Sequence, residues 1–375
     1  MNRTLPAIAA GAMLLLAACG GTAAPASAPP GSAPAAPASA AAKPSSPAPA
    51  ASISAKPSAA ASAAAAASPA ASGGAKPAIK FSNSSTPAFS YIPLLMAQDA
   101  LRSMGYKVDN VTFNESEVSV EAVNKNEAQL GSGSTYTVMQ AIQKGGKMKL
   151  IGDRNSNEWA IAAINAITDC NTLNGKRLAI HSEGAVSTAM VNAWLQDKCP
   201  QAKPNILVIP GSDKRAAAIL ANQIDATPIE LADWIDLQKK APGRFHLLAD
   251  LAHDLPKLDS SAMYVNNDFL AKNRPALVDF VTELIKADRA VLANPDLLKQ
   301  ANKKYNLGND DSIDEIIKGY LSINGFDKNG GFDADKMAYS IDFFTKANQL
   351  KPGVKVEDVA DVSIINEVLA KLGKQ

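Results

Sequence analysis

The sequence predicts an α/β protein with two lobes. After about residue 78 the 375-residue chain alternates strand-like and helix-like segments in two successive series, and this alternation is typical of α/β folds with parallel sheets. A stretch of about 300 residues is also longer than one typical hydrophobic core accommodates. Loops rich in serine and threonine recur where predicted strands end. We therefore expect two α/β lobes whose loops face one cleft.

The first 18 residues have the pattern of a secretion signal. One basic residue, Arg3, precedes an apolar run over residues 12–18, which is too short to span a membrane stably. The run ends in Leu-Ala-Ala-Cys at Cys19, which resembles the lipobox of bacterial lipoproteins. We expect residues 1–18 to be a signal peptide and Cys19 to carry a lipid that anchors the chain to the membrane. The alternative is an ordinary signal peptide beside which Cys19 is incidental.

The segment that follows Cys19 has a low-complexity composition. Residues 20–77 consist almost entirely of alanine, proline, serine and glycine. Such a segment cannot bury enough apolar surface to offset its ordering entropy, and its prolines favour extended conformations. We therefore expect residues 19–77 to form the lipidated cysteine and a disordered tether.

The rest of the chain divides into two series of elements and a helical end. The first series predicts strands at 78–81, 108–113, 128–131 and 149–152, with helices at 91–103, 116–124 and 135–144. The second series predicts strands at 177–180, 206–209, 226–229 and 245–248, with helices at 188–197, 213–222 and 231–239. A further strand at 262–265 precedes helices at 274–292, from Asn294 onwards and at 312–321.

One strand-turn-helix unit, residues 177–195, suggests a ligand loop. Apolar residues 178–180 suit a short buried strand, and apolar residues recur at helical spacing after Ser187 and Thr188, which are good N-cap residues. A helix N-terminus presents unpaired backbone N–H groups, and Gly184 lets a ligand approach the chain closely. We expect this turn to hold an anionic or hydrogen-bond-accepting group. The alternative is an ordinary strand-to-helix turn.

Two loops in the first series have the same character. Residues 82–87, Ser-Asn-Ser-Ser-Thr-Pro, follow the first predicted strand, and residues 131–136, Gly-Ser-Gly-Ser-Thr-Tyr, follow the third. Together with the turn at 181–188 they make three polar loops at strand ends. We expect all three to face one cleft.

The cysteines are consistent with export. If Cys19 is lipidated, Cys170 and Cys199 remain as an even pair, and disulfides persist in oxidising compartments. A disulfide between them would close a loop of about 30 residues and contribute about 3 kcal/mol by loop entropy. The alternative is two unrelated buried thiols.

The charge balance and the histidines argue against several functions. Lys and Arg total 37 against 36 Asp and Glu, so no basic field favours nucleic acid. His181, His246 and His253 are scattered, and no metal-ligand or nucleophile motif includes them. We expect no catalytic residue, no cofactor and no metal.

Four ordered segments carry a family resemblance. They are Asn-Glu-Ala-Gln-Leu-Gly at 126–131, Leu-Asn-Gly-Lys-Arg-Leu-Ala-Ile at 173–180, the alanine-rich 211–220 with Gln-Ile-Asp-Ala-Thr at 223–227, and Tyr-Val-Asn-Asn-Asp-Phe-Leu at 264–270. In this order they resemble substrate-binding proteins of ABC importers. The closest branch is the nitrate, sulfonate and taurine group, which also includes thiamine-pyrimidine binders.

The resemblance implies a two-lobed periplasmic-binding-protein fold of type 2. Residues 78–168 and 262–375 would form lobe I, and residues 169–261 would form lobe II. Two crossover strands, near 165–170 and 260–265, would join the lobes on either side of a ligand cleft. Hinge closure on a solute would then create the form that an ABC permease recognises. We expect a monomer outside the cytoplasm that binds no nucleic acid.

Positions that match the family's ligand loops supply the candidate site residues. In lobe I they are Ser84, Ser85, Thr86, Tyr91, Gly133, Ser134, Thr135 and Asn155. In lobe II they are Ser182, Gly184, Ser187, Thr188, Thr227 and Glu230. Tyr136, Trp159 and Trp234 are alternatively stacking walls or core residues, and Arg215 is expected to be structural.

The charges in these loops bear on the solute. Glu183 and Glu230 lie in candidate loops, and Arg154 is the plausible counter-charge. We therefore expect a neutral, zwitterionic or heterocyclic organic solute, similar to a sulfonate, taurine or a pyrimidine. The alternatives are an enzyme on the same fold, similar to thiamine-pyrimidine synthase, and a surface adhesin on a stalk.

Overall fold

The computed structural model describes residues 76–375. The predicted signal peptide, the lipidation site at Cys19 and the tether before residue 76 lie outside the described residues. Within the described part the strands form two five-stranded sheets, one for each lobe. No helix of this part is both long and apolar enough to cross a membrane.

The two sheets share ten strands, numbered in chain order. They are β1 (Ile79–Asn83), β2 (Val108–Thr112), β3 (Leu130–Ser134), β4 (Met148–Asn155), β5 (Trp159–Ile164), β6 (Arg177–Ile180), β7 (Asn205–Val208), β8 (Ala226–Glu230), β9 (Phe245–Ala249) and β10 (Ser261–Asn266). Lobe I has the order β2-β1-β3-β10-β4, and lobe II has the order β7-β6-β8-β5-β9.

Each sheet contains one antiparallel strand, which the sequence analysis did not expect. β10 runs antiparallel to β3 and β4, and β5 runs antiparallel to β8 and β9. Both are the strands by which the chain enters a lobe from the other one. Because each lies between two other strands of its sheet, it is paired along both of its edges.

The first crossover between the lobes differs from the expectation. β4 ends in the first sheet and β5 begins in the second, so the chain crosses at 156–158 and not near 165–170. The sequence analysis missed β5 because its run Trp-Ala-Ile-Ala-Ala-Ile has no polar alternation, as is common for a strand buried on both faces. The second crossover occupies 250–260, between β9 and β10, close to its expected place.

Fourteen helices of the described part cover the sheets. They are α1 (Ile92–Ser103), α2 (Ser116–Asn124), α3 (Thr135–Gln143), α4 (Val186–Lys198), α5 (Ser212–Leu220), α6 (Leu231–Lys240), α7 (Leu251–Asp254), α8 (Asn267–Lys272), α9 (Arg274–Ala293), α10 (Asp296–Tyr305), α11 (Ile313–Ser322), α12 (Ala334–Lys346), α13 (Val356–Val359) and α14 (Ser363–Leu372).

The start of α4 corrects one prediction. Its N-cap is Ala185, which provides no side-chain cap, whereas we expected Ser187 and Thr188 to cap a helix that begins at 188. The hydroxyl of Thr188 instead donates to the carbonyl of Ser182 at 2.7 Å. The turn therefore folds back onto itself and the helix begins earlier.

Close packing in β3 explains why this strand contains glycine. A Cβ atom at Gly131 would collide with the ring of Tyr264, and one at Gly133 would collide with the side chain of Ser84. Tyr264 is fully buried in the core of lobe I. The Gly-Ser-Gly-Ser sequence thus lets β10 and the loop after β1 lie directly against the strand.

The C-terminal helices pack on both lobes. α9 packs against α1 and α14 in lobe I, and α11 packs against α6 in lobe II. A hydrophobic cluster at the second contact joins Ala232 of α6 to Ile316 and Tyr320 of α11 and to Phe89 of lobe I. The C-terminal part of the chain therefore forms an apolar seam across the two lobes.

The expected disulfide is confirmed. Cys170 and Cys199 are bonded, with their Cα atoms 5.1 Å apart. The bond joins the segment before β6 to the end of α4, and so it closes the strand-turn-helix unit of lobe II.

Candidate functional site

The strand ends of the two sheets meet at a polar cavity of about 210 Å³. Lobe I contributes the loops after β1 and β3 and the end of β4. Lobe II contributes the loop after β6 and the end of β8. The N-termini of α4, α5 and α6 also reach its wall. Their dipoles favour negative groups at these points.

Half of the predicted ligand residues line this cavity. They are Ser84, Ser85, Thr86, Gly133, Ser134, Ser187 and Glu230. All three predicted loops are therefore represented at one site, and the lobes face each other through them.

The other predicted residues are not on the cavity wall. They are Tyr91, Thr135, Asn155, Ser182, Gly184, Thr188 and Thr227. Their polar groups have partners within the protein, and their contact with a solute stays a prediction.

Three threonines of this second group bond to the protein. Besides the Thr188 bond described above, Thr135 donates to the carboxylate of Asp259 at 2.5 Å, and Thr227 donates to the carbonyl of Ala179 at 3.1 Å. All three threonines are buried. Because each hydroxyl donates its proton to a buried acceptor of the protein, these bonds hold the loops in place, and the hydroxyl oxygens retain only their capacity to accept.

Ser182 and Gly184 bond to the opposite lobe. The carboxylate of Glu117 in α2 accepts a hydrogen bond of 2.8 Å from the Ser182 hydroxyl and one of 2.6 Å from the Gly184 N–H. The N–H groups that we expected to receive a solute thus receive a carboxylate of the protein. The turn therefore binds a carboxylate of the protein, and its contact with a solute stays a prediction.

Tyr91 and Asn155 hold Arg154, which is the main cation of the cavity. The guanidinium lies 3.9 Å from the centroid of the Tyr91 ring. Its Nε donates to Asn155 Oδ1 at 2.9 Å and its Nη2 to Ser261 Oγ at 3.1 Å. No carboxylate within residues 76–375 forms an ion pair with it. A buried guanidinium with neutral partners and a free edge is suited to bind an acidic or carbonyl oxygen.

His181 is a second donor at the wall, and the sequence analysis gave it no role of its own. Its Nδ1 accepts a hydrogen bond of 3.1 Å from the N–H of Gly211, and its Nε2 is buried without a partner among the described residues. Burial lowers the pKa of His181 to about 4. The imidazole is therefore neutral, and because Nδ1 accepts a bond the proton resides on Nε2.

Carboxyl groups also line the cavity. Glu230, at the end of β8, and Asp233, in the first turn of α6, both line the wall. Burial raises the pKa of Glu230 well above its ordinary range, and the neighbouring carboxyls of Glu158 and Asp233 raise it further. Burial also raises the pKa of Asp233, to about 6. Sequence reasoning missed Asp233, although its i+3 spacing from Glu230 was a usable signal.

Glu158 and Arg215 are nearby charges with protein partners. Glu158 accepts a hydrogen bond of 2.8 Å from Asn155 and another from the hydroxyl of Tyr320. Arg215 donates to the carbonyls of Pro228 and Ile209 at 3.1 Å. The structural role expected for Arg215 follows from these bonds.

One aromatic residue of the three considered lies at the cavity. Trp159 lines the wall and its indole Nε1 is buried without a partner in the described chain. Tyr136 packs in the core with its ring 4.9 Å from that of Phe344, and Trp234 packs beside the core of lobe II. The wall thus combines the cations Arg154 and Lys214, two ring N–H donors, several hydroxyls and the carboxyl groups of Asp213, Glu230 and Asp233. Such a wall complements a small polar solute.

Two lobes of α/β structure, two crossovers and a cleft between the lobes define the periplasmic-binding-protein fold. The model of the family described as NMT1/THI5 like matches residues 89–297, which is more than half of the chain. The chain belongs to this family. A comparison with curated protein sequences gave no match.

Solved structures share the fold at low sequence identity. A protein from Bordetella bronchiseptica RB50 superposes with a TM-score of 0.69 at 16% identity, over 80% of this chain and 98% of that one. The alkanesulfonate-binding protein SsuA from Xanthomonas axonopodis pv. citri, bound to MOPS, gives 0.60 at 16% identity, over 76% and 99%. The nitrate-binding protein NrtA from Synechocystis PCC 6803 gives 0.63 at 12% identity, over 80% and 89%.

Proposed function

We propose that this protein is the extracytoplasmic solute-binding component of an ABC importer. It captures a small organic solute between its lobes by hinge closure and delivers it to a permease. The observation that carries the proposal is Arg154, a buried cation whose hydrogen-bond partners are neutral and which lines the cavity between the lobes. Solved proteins of the same fold that bind a sulfonate and nitrate support it.

The rest of the proposal concerns the residues that contact the solute, the boundaries of the two lobes and the membrane anchor. The seven predicted residues on the cavity wall, together with Arg154, His181, Trp159 and Asp233, contact the solute. Lobe I comprises the chain up to the crossover at 156–158 and again from β10 onwards, and lobe II lies between. The protein is a monomer anchored by a lipid on Cys19. Loss of labelled fatty acid from a Cys19→Ser protein, with uptake by the parent, tests the anchor.

An enzyme on the same fold is the second candidate of the sequence analysis. It would need a reactive group at the cavity, and His181 is the one ring base among the described wall residues. Because its Nδ1 is bonded to Gly211 and its pKa is about 4, His181 is a poor general base near neutral pH. This geometry favours binding over catalysis.

The test is a solute screen with a structural readout. Full-length protein in detergent is screened by thermal shift against sulfonates, amino acids, pyrimidines and inorganic anions, and each hit is followed by small-angle X-ray scattering and calorimetry. A true solute should bind the parent and the control variant Arg244→Gln, because Arg244 is not on the cavity wall. It should bind Arg154→Gln at least tenfold more weakly than the parent. Equal binding to all three proteins would reject the cavity as the site.

A further inference from the structure

The cavity has a third wall that belongs to neither sheet. Asn306, Leu307 and Asn309 line the cavity, and all three lie in the loop between α10 and α11. We call residues 306–309 the strap. The sequence analysis assigned no ligand contact to this part of the chain, because the strap follows a helix and not a strand.

The strap begins at a helix end that is fixed to lobe I. α10 packs against α1 and α9. In the last turn of α10, Lys304 and Tyr305 both donate to the carboxylate of Asp99 on α1, at 2.6 Å and 2.8 Å. The side chain of Asn302, which is buried, donates to the carbonyl of Gly308 at 2.7 Å. Lobe I therefore holds the strap through α10 and through the backbone of the strap itself.

The strap ends at a turn that is fixed to lobe II. The 3-10 turn Asp310–Ser312 and α11 both pack against α6. The hydroxyl of Ser312 donates to the carboxylate of Asp236 at 3.0 Å, and the ammonium of Lys239 donates to the carbonyl of Asp311. Both of these partners belong to α6. The chain therefore passes between the lobes at the strap, in addition to the two crossovers described above.

The backbone of the strap is left-handed at three of its four residues. The angle φ is 53° at Asn306, 84° at Gly308 and 60° at Asn309. Asparagine and glycine adopt this conformation at low cost, so the sequence Asn-Leu-Gly-Asn suits the strap. Leu307 is partly buried against the apolar seam. Both the backbone and this side chain thus fix the strap at the cavity wall.

The strap lies where the cavity meets solvent. Most residues of the cavity wall are buried or half-buried, and the exposed ones form a rim. Lobe I contributes two rim residues, lobe II two and the strap one. They are Thr86, Asn114, Asp213, Lys214 and Asn306. A molecule that moves from solvent toward the buried wall therefore passes both lobes and the strap.

We propose that Asn306 and Asn309 determine the size of the molecules that reach the cavity, because their side chains narrow its opening beside the strap. Since the ends of the strap are fixed to opposite lobes, it cannot swing aside unless one of these contacts breaks. A cavity of about 210 Å³ is smaller than the roughly 300–1,000 Å³ of drug-sized sites, so single side chains at its opening matter. The inference goes beyond the proposed function, because it concerns access to the cavity by any molecule.

Trp159 reports this access without a known solute. It is a buried residue of the cavity wall, whereas Trp194 and Trp234, the other two tryptophans of the chain, are not on the wall. Trp194→Phe with Trp234→Phe leaves Trp159 as the single fluorophore of the full-length protein in detergent. Time-resolved fluorescence then gives its quenching rate constants with acrylamide and with succinimide, a larger neutral molecule. The ratio of the succinimide constant to the acrylamide constant measures size selection.

The variants separate the side chains from the backbone of the strap. Asn306→Gly with Asn309→Gly removes both amides, and glycine keeps the left-handed backbone. We expect the ratio to rise at least twofold. Asn306→Asp with Asn309→Asp retains the size of both side chains and should retain the parent ratio. The matched control is Asn126→Gly with Asn348→Gly, since both residues are exposed, left-handed and away from the cavity. This control should also retain the parent ratio.

Small-angle scattering on the same variants completes the test. The inference requires the ratio to rise in the strap glycine pair while the radius of gyration stays unchanged. An unchanged ratio overturns it. A larger radius with equal increases for both quenchers shows that the strap only ties the lobes together, and this also overturns it. An aspartate pair or a control pair that behaves like the strap glycine pair has the same consequence. The proposed function is tested separately, because no outcome here depends on solute binding.

Discussion

Glu117 of lobe I accepts a hydrogen bond of 2.6 Å from the backbone N–H of Gly184 in lobe II. The same carboxylate accepts a bond from Ser182, and the hydroxyl of Thr137 donates to the Gly184 carbonyl at 2.5 Å. Both polar groups of the Gly184 peptide are thus paired across the cleft. The turn that the sequence predicts to be a ligand loop therefore forms hydrogen bonds between the two lobes.

Loss of Glu117 should favour the open form. Glu117→Ala removes two hydrogen bonds to a charged acceptor, each worth about 1.5–3 kcal/mol, although water satisfies the freed donors in the open state. We expect solute affinity to fall about 10-fold to 100-fold and the radius of gyration of the solute-free protein to increase. Small-angle scattering and calorimetry measure these effects. Glu121→Gln on the same helix is the control, and an unchanged radius for Glu117→Ala would contradict the assignment.

Gly184→Leu should act through Glu117. A Cβ atom at Gly184 would lie 2.6 Å from Oε1 of Glu117, so a larger side chain pushes the carboxylate out of the turn. We expect the solute to bind more weakly and the melting temperature of the protein to stay unchanged, because the cores of the two lobes are not altered. In a double-mutant cycle the effects of Gly184→Leu and Glu117→Ala should be strongly non-additive. Additive effects would mean that the glycine acts on the solute directly.

The acid cluster should make stability fall as the pH rises. The pKa of Asp233 is raised by burial from its ordinary 3.8 to about 6 in the folded protein. Between these values the folded state binds more protons than the unfolded state, so stability decreases with pH over this window. Asp233→Asn removes this dependence. Its stability relative to the parent should therefore increase from pH 4 to pH 6.5 in solute-free urea titrations, and a constant difference would refute the raised pKa.

The disulfide should contribute to the stability of lobe II. Cys170→Ser with Cys199→Ser opens a loop of about 30 residues and is expected to cost about 3 kcal/mol. Chemical denaturation of the double variant measures the loss. Thiol titration of the unreduced, unfolded parent should detect neither residue, and two reactive thiols would show that the bond is absent from the purified protein.

Most of the fold follows from local sequence patterns. The predicted strands at 177–180 and 226–229 match β6 and β8 almost residue for residue, because short apolar runs between turn signals are local features. The direction of β5 and β10 is not local. The direction of each strand depends on which lobe the chain has just left. The periodicity of residues within the strand therefore does not predict it.

The site was predictable only as far as its loops. Ser84 and Ser134 are polar residues at strand ends, and such residues face a shared edge in any α/β sheet. Gly184 has the same local character, but its partner is Glu117, more than sixty residues earlier in the chain. Whether a polar loop meets a solute or a carboxylate is decided by a tertiary contact. For that reason the sequence did not separate the predicted residues that line the cavity from those that do not.

The apolar seam between α6 and α11 has a consequence for the speed of capture. Opening the cleft must separate or slide Ala232 of α6 against Ile316 of α11 while Glu117 leaves its turn, so each opening breaks an apolar and a polar contact. A solute can enter only while these contacts are broken. Its association rate should fall well below the diffusion limit, because only the open fraction of the molecules can bind it. Its dissociation is slowed because the same contacts must break again before it leaves.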